Sequence, residues 1–316
     1  DADRQWKELS KLILDPIAKE LEGVETVFIS PDSELNLIPF AALTTPKTNK
    51  YFSEVYNLRL LTTGRELLDL MSKSNTSANK SLVIANPDYT FELESSSQLV
   101  AGEIRLRSKK LSSRRWGELP YTENEGLAVS KIINGKLLMQ EEATEDSVKR
   151  NKSPKVLHIA SHSFYLNSKE SDEHPLIRSG IVLAGANQVD TRSDDDGLLT
   201  ALEVSKINWQ GTEIVVISGC ESGKGEIFSG EGVYGLKRAI TVAGARANLL
   251  SLWKVNDNAT ADFMESFYIR LKEGKGRANA LAETQKEFRN HSNPAYRLPY
   301  VWAAFQLSGD WRPIDW

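Results

Sequence analysis

Ile214, Val215, Val216 and Ile217 form an unbroken β-branched run that Ser218-Gly219 stops. A strand with one face in water alternates apolar and polar residues, so a continuous run reads as a strand covered on both faces. That points to a parallel sheet between layers of helix. Directly after the run comes Cys220, the one cysteine in 316 residues. It falls just past the carboxyl end of its strand, the edge of an open α/β sheet where the chain turns and backbone groups are left for a ligand. A lone cysteine is more often a small buried apolar residue than a reactive one. Gly219, Gly223, Gly225 and Gly230 flank this one, allowing sharp turns and close approach of a peptide, so its placement reads as that of a nucleophile in need of a base.

Along the chain, Trp6, Leu9, Ile13, Ile17 and Leu21 stand at helical spacing, and Asp15-Pro16 can cap and restart a second helix. Val24–Ser30 reads as a strand, Pro31-Asp32-Ser33 as a turn, and Leu35–Phe40 as extended. A strand at Asn57–Thr62, a helix around Glu66–Met71 and a polar linker at Ser72–Lys80 close an N-terminal segment, residues 1–80. The core, residues 81–316, then alternates. Strands are expected at Leu82–Ala85, Lys136–Met139, Val156–Ala160, Gly180–Ala184, Ile214–Ile217, Ala247–Trp253 and Val301–Leu307. Helices follow capping boxes at Thr122–Glu125 and Thr200–Glu203, or run near Glu145–Lys149, over Val233–Ala243, through Phe263, Phe267 and Leu271, and over Arg277–Arg289. Such alternation predicts an α/β sandwich with a mostly parallel sheet.

Composition excludes several function classes. With 43 acids against 39 bases the net charge is −4, and no overall basic field draws the chain to nucleic acid or to an anionic membrane. One cysteine rules out an intrachain disulfide, and the cytosol is the compartment where a reactive thiol stays reduced. No apolar run approaches the roughly 20 residues that span a bilayer, no signal peptide is visible, and the first residue is Asp1 rather than methionine, as in a processed chain or a piece of a longer one. Two segments interrupt the alternation: Ile104–Arg115 carries six bases and no acid, and Asp190–Asp196 carries four aspartates around Arg192. The first lacks the interleaved aromatics of a nucleic-acid contact, and the second lacks the glycine and closing glutamate of a calcium loop, so both read as exposed loops.

The base is sought among four histidines. His158 and His162 both lie in Lys155–His162; if that stretch is extended they share a side, with His162 at the carboxyl end. Parallel neighbours lie about 4.8 Å apart, so adjacent strands would bring the His162 imidazole within reach of the Cys220 thiol. An imidazole lowers the thiol's pKa and can later protonate a leaving amine. A zinc pair at His158 and His162 belongs to a helix face rather than this strand pattern, and a structural role suits His158. Gly219–Gly225 lacks the spacing of a phosphate loop. No metal and no cofactor are expected.

With that pair in place, further motifs fall into order: Ile29-Ser30-Pro31-Asp32, Leu37–Leu43, Leu157–His162, Ser218–Gly223, Gly230–Leu236, Ala243-Gly244-Ala245, Ser251–Asp257, Phe267-Tyr268 and Trp302–Phe305. Together they resemble the CHAT domain, a caspase-like peptidase family often found behind tetratricopeptide repeats. The resemblance implies a caspase-like three-layer fold and a cysteine endopeptidase with a His162–Cys220 dyad that cleaves a protein partner, with no nucleic acid or membrane involved. It implies an oxyanion hole from the backbone N–H groups of Cys220 and Ser163, where the family usually has glycine at the second place. It also implies a first specificity pocket drawn from Asp88, Asp257, Ser218 and Trp253, with the two aspartates favouring cleavage after Arg or Lys. Capping of the following helix is the competing role for Asp257. A basic preference would make Arg115 and Arg192 candidates for self-cleavage. A catalytically silent scaffold on the same fold is the alternative.

Overall fold

The computed structural model describes residues 2–46, 48–71, 78–92, 111, 114–166, 176–188, 195–219 and 230–316, without the side chains of residues 2, 3, 33, 34 and 230–234. The N-terminal part comprises α1 (Ala2–Leu14), β1 (Thr26–Ile29), α2 (Phe52–Val55), β2 (Asn57–Leu60) and α3 (Glu66–Met71). Next come β3 (Leu82–Pro87), α4 (Tyr121–Ile133), β4 (Lys136–Gln140), α5 (Glu145–Arg150), β5 (Val156–Ala160), β6 (Ser163–Tyr165), β7 (Ser179–Val182), β8 (Leu198–Thr200) and α6 (Ala201–Val204). The chain continues through β9 (Ile214–Ile217), α7 (Gly230–Ala243), β10 (Ala247–Ser251), α8 (Asp257–Lys272), α9 (Arg277–Arg289), α10 (Pro299–Trp302) and β11 (Phe305–Gly309).

Eight strands form one sheet in the order β1-β2-β11-β10-β9-β5-β3-β4. All of its pairings are parallel except β10 with β11. Every residue of β5, β9 and β10 is buried, as the apolar run at 214–217 requires of a doubly covered strand. Val156 and Val216 point into a core shared with α4, α8 and α9, where Phe263, Phe267 and Phe288 pack. Leu157, Val215 and Ile217 point to the other face, against Val204 of α6 and Leu236 and Ile240 of α7. The result is the three-layer, mostly parallel α/β sandwich that the alternation predicts. Among the described residues no helix is long and apolar enough to cross a membrane.

Several elements differ from the sequence reading. Leu35–Phe40 is not extended but coils into two 3-10 turns, Ser33–Leu37 and Phe40–Ala42. The buried Asn36 causes this: its amide donates to Pro31 O at 3.2 Å and accepts from Lys237 Nζ of α7 at 3.3 Å, which a flat strand could not allow. Val301–Leu307 splits into α10 and β11, because Pro299 at the first helical position presets a turn. Gly180–Ala184 is a strand, but it belongs to a separate antiparallel sheet, β6-β7-β8. The capping box at Thr200–Glu203 forms. The one at Thr122–Glu125 does not: Thr122 Oγ1 donates to Leu119 O at 2.6 Å, and Glu125 turns inward.

Candidate active site

β5 and β9 are neighbours in parallel register, with Ile159 opposite Ile217, so the strands leading to His162 and Cys220 end side by side. Ser218 N continues the ladder to Ile159 O at 3.1 Å. At Gly219 the two chains come so close that a Cβ would stand 1.3 Å from Ser161 O, leaving room for glycine alone. Ser163 Oγ then donates to Gly219 O at 3.1 Å and ties the two ends together. Cys220 and Arg192 lie outside the described residues.

β5 ends at Ala160, so the shared strand face proposed for His158 and His162 does not extend to His162. His162 sits in the turn between β5 and β6 and is buried. Its ring lies 5.4 Å from each of the Tyr89 and Trp116 rings. Nε2 is 2.8 Å from Gly117 O, and a carbonyl only accepts, so the proton resides on Nε2. Nδ1 is thereby left as an acceptor, and it is buried without a hydrogen-bond partner among the described residues. Burial pushes the imidazole's pKa below its ordinary value; the Gly117 bond opposes this, and Lys254 and Arg114 add to it. The group is a neutral base at neutral pH.

The backbone carbonyl that fixes this tautomer is itself held in place. Trp116 N donates to Asn187 Oδ1 at 2.8 Å and Asn187 Nδ2 donates to Trp116 O at 3.0 Å, a side-chain imitation of a strand pair. Asn187 N in turn donates to Tyr89 O at 2.8 Å. Beneath the imidazole, Tyr89 Oη is 2.9 Å from Ser161 Oγ, which donates to Val182 O at 2.5 Å. Neither Asn187 nor Trp116 is signalled in the sequence, because their pairing joins two loops 71 positions apart.

Ser163 begins β6 with a backbone outside the left-handed region, so a serine there meets no strain. Val182 N donates to His162 O at 2.9 Å and Leu166 N to Arg178 O at 2.7 Å, which makes Ser163 and Ile181 a non-hydrogen-bonded pair. The Ser163 N–H therefore points away from β7, out of the ladder.

Beside Gly219 opens a small cleft of about 20 Å³, lined in part by Thr122, Glu125, Ser218, Lys254 and Asp257. Two of the four pocket candidates thus meet there. Asp257 opens α8 after the N-cap residue Asn256, whose side chain takes the capping bonds. Burial holds its carboxyl above the usual carboxylate range; Lys254 opposes this and Glu125 reinforces it. Asp88 lies elsewhere, its Oδ1 accepting from Thr90 N at 2.8 Å and Thr90 Oγ1 at 2.7 Å. Trp253 stacks on Tyr300 and donates from Nε1 to Tyr300 O at 2.7 Å. His158 lies within the sheet, its Nδ1 3.2 Å from Tyr268 Oη and its Nε2 3.0 Å from Glu125 Oε1. Arg115 is exposed, two residues before Gly117.

Similar proteins fit this architecture. The chain is 29% identical over 300 residues to human tetratricopeptide repeat protein 28, covering 88% of the chain and 12% of that protein. It therefore spans about an eighth of that relative's length. Among solved structures, gingipain R of Porphyromonas gingivalis, described as an Arg-specific cysteine proteinase, superimposes with a TM-score of 0.51. The match covers 96% of this chain and 67% of that one at 8% identity, a likeness of fold alone. Separase in the Saccharomyces cerevisiae separase–securin complex gives a TM-score of 0.49 at 13% identity, covering 90% of this chain and 15% of that one. The sequence model of the CHAT domain matches residues 3–310, nearly the whole length, and the chain belongs to the CHAT domain family.

Proposed function

We propose that the chain is a cysteine endopeptidase acting on a protein partner. One observation carries the reading: His162 presents a buried Nδ1 with no hydrogen-bond partner among the described residues, its Nε2 fixed by Gly117 O, at the edge where Gly219 hands the chain to Cys220. In this mechanism Nδ1 takes the thiol proton and the thiolate adds to the scissile carbonyl carbon. The carbonyl oxygen becomes an oxyanion held by the N–H groups of Ser163 and Cys220. Collapse of that adduct breaks the C–N bond, and His162 returns its proton to the leaving amine. Water, with His162 as base, then hydrolyses the thioester.

Asp257 in the cleft supports cleavage after Arg or Lys, and the exposed Arg115 is then a candidate for self-cleavage. Residues 81–316 form the catalytic core in this reading. Residues 1–80 relay control from upstream repeats, as the bond between Lys237 of α7 and Asn36 would permit.

The test is incubation of wild type and Cys220→Ala with a positional library of peptides, with cleavage read by mass. Cuts after Arg or Lys that vanish in the variant are expected. If wild type cuts nothing and Cys220 reacts with iodoacetamide no faster than a buried thiol, the scaffold reading replaces this one.

A further inference from the structure

The cleft beside Gly219 contains a buried residue that the dyad does not use. Glu125, on the first turns of α4, is 1% exposed, and its Oε1 has no hydrogen-bond partner among the described residues. A second such group lines the same cleft: Ser218 is 5% exposed and its Oγ also lacks a hydrogen-bond partner among the described residues. Leaving a buried polar atom unpaired is costly, and more so for a charged one, so two in one small space call for an explanation. Both atoms can accept, and the Asp257 carboxylate beside them accepts as well, while the Thr122 and Thr260 hydroxyls of the lining donate to Leu119 O and Asn256 O. The complement to such a lining is a group that only donates. Among peptide side chains that means an ammonium or a guanidinium.

Glu125 is also held from behind. His158 Nε2 lies 3.0 Å from Glu125 Oε1, in contact but off the hydrogen-bond line, and His158 Nδ1 is 3.2 Å from Tyr268 Oη. All three residues are at most 1% exposed. The row Tyr268–His158–Glu125 thus runs through the interior and ends at the cleft. Lys254, exposed at the rim, makes no ion pair within 4 Å among the described residues, so it does not neutralise the acceptors.

We propose that Glu125 determines which side chain the cleft accepts, its carboxylate positioned by His158 and Tyr268 and pairing, together with Asp257, with the lysine or arginine that precedes the cut bond. This rests on the reading of Gly219–Cys220 as the reactive edge, since the cleft is a specificity pocket only if the bond is cut there. Glu125 is a specificity residue, and His158 is a positioning residue that acts through it.

The first arm of the test needs no peptidase activity. Cys220 is alkylated with iodoacetamide in the presence of butylguanidinium or of butylurea, its uncharged counterpart. The cation is expected to slow alkylation in wild type while butylurea does not. Glu125→Gln should abolish the protection and Glu125→Asp restore part of it. Equal effects of the two compounds, or protection unchanged in Glu125→Gln, overturn the assignment. The wild-type comparison stands by itself should the variants fail to fold.

The second arm reads peptide cleavage. Glu125→Gln should raise KM for substrates with Arg or Lys before the cut by about 10- to 100-fold, the loss of one buried charged pair, with kcat and uncharged substrates little changed. His158→Gln should move the same ratio in the same direction by less. Wild type that cuts without basic preference sinks the role of Glu125 and leaves the peptidase standing. Cation protection without any cleavage retains the basic-side-chain cleft and removes the peptidase.

Discussion

The two ends of β9 differ in how their buried polar groups are paired. At the amino end, Glu213 accepts from Arg277 Nη2, and Arg277 Nη1 donates to Arg312 O at 2.8 Å. Asp310, which follows β11, accepts from Arg246 Nε at 3.0 Å and Arg312 Nε at 2.9 Å, with Arg277 Nη1 3.6 Å away. Each of these charges has a counter-charge, although Arg277 Nε and Thr212 Oγ1 at this end have no hydrogen-bond partner among the described residues. At the carboxyl end, His162 Nδ1, Glu125 Oε1 and Ser218 Oγ are buried with no hydrogen-bond partner among the described residues, Glu125 Oε1 lying 3.0 Å from His158 Nε2. Clusters of paired opposite charges hold strand ends together; a concentration of unpaired acceptors is costly to keep and makes sense where a ligand or a reacting group completes it. The difference separates structure from chemistry along one strand.

If that separation is right, damage at the carboxyl end should cost activity with little stability. His162→Gln keeps the ring's approximate volume and removes the base, so cleavage should fall by about 10²- to 10⁴-fold. A chemical unfolding midpoint close to wild type would complete the result. In wild type, the lowered pKa of His162 places the acid limb of the rate profile below its ordinary 6.5. A limb above that value would mean that another group supplies the base.

Damage at the amino end should do the reverse. Arg277→Met leaves Glu213 and Asp310 short of a buried partner, and stability should fall by about 3 to 5 kcal/mol. Urea unfolding measures this, while the alkylation rate of Cys220 per folded molecule should hold. A collapse of thiol reactivity at full stability would show the two ends to be one cooperative unit.

A smaller effect follows from acid. Burial pushes the Asp310 carboxyl up, but Arg312, Arg277 and Arg246 outweigh it and hold the group at about 2. A depressed carboxylate stabilises the fold above its unfolded pKa and loses that contribution as pH falls through the folded value. About 2 kcal/mol should therefore disappear between pH ~4 and pH ~2. Asp310→Asn, compared with wild type by unfolding at both ends of that window, should flatten this part of the stability curve.

The contrast also marks what the sequence could convey. The apolar run at 214–217 foretells a doubly covered strand because burial on both faces leaves a local signature, and the carboxyl end of that strand is where the catalytic edge is read. Periodicity says nothing about Asn187 and Trp116, whose pairing closes only in three dimensions, nor about Gly117, which contributes a carbonyl common to every residue. Glu125 misleads for a different reason. Thr122-Glu123-Asn124-Glu125 has the composition of a capping box, and only the neighbouring Asn86 N, donating to Thr122 Oγ1 at 3.2 Å, and the His158 imidazole show why the glutamate turns inward. Asp88 has the composition of a pocket acid and is instead occupied by Thr90.

The smallest expected effect tests whether the carboxyl end is open to ligand charge at all. Lys254 is exposed at the rim of the cleft, and its charge opposes the effect of burial on Asp257. An exposed ammonium at a rim is screened by solvent and salt, so its influence on a cation entering the cleft is modest. Lys254→Gln removes a like charge from the path of that cation. Butylguanidinium should then protect Cys220 at roughly two- to threefold lower concentration, and added salt should erase the gain. An unchanged response at low salt would place the cation beyond the reach of Lys254, away from Asp257. In that case the acceptors at this end of β9 would be completed by some group other than an incoming basic side chain.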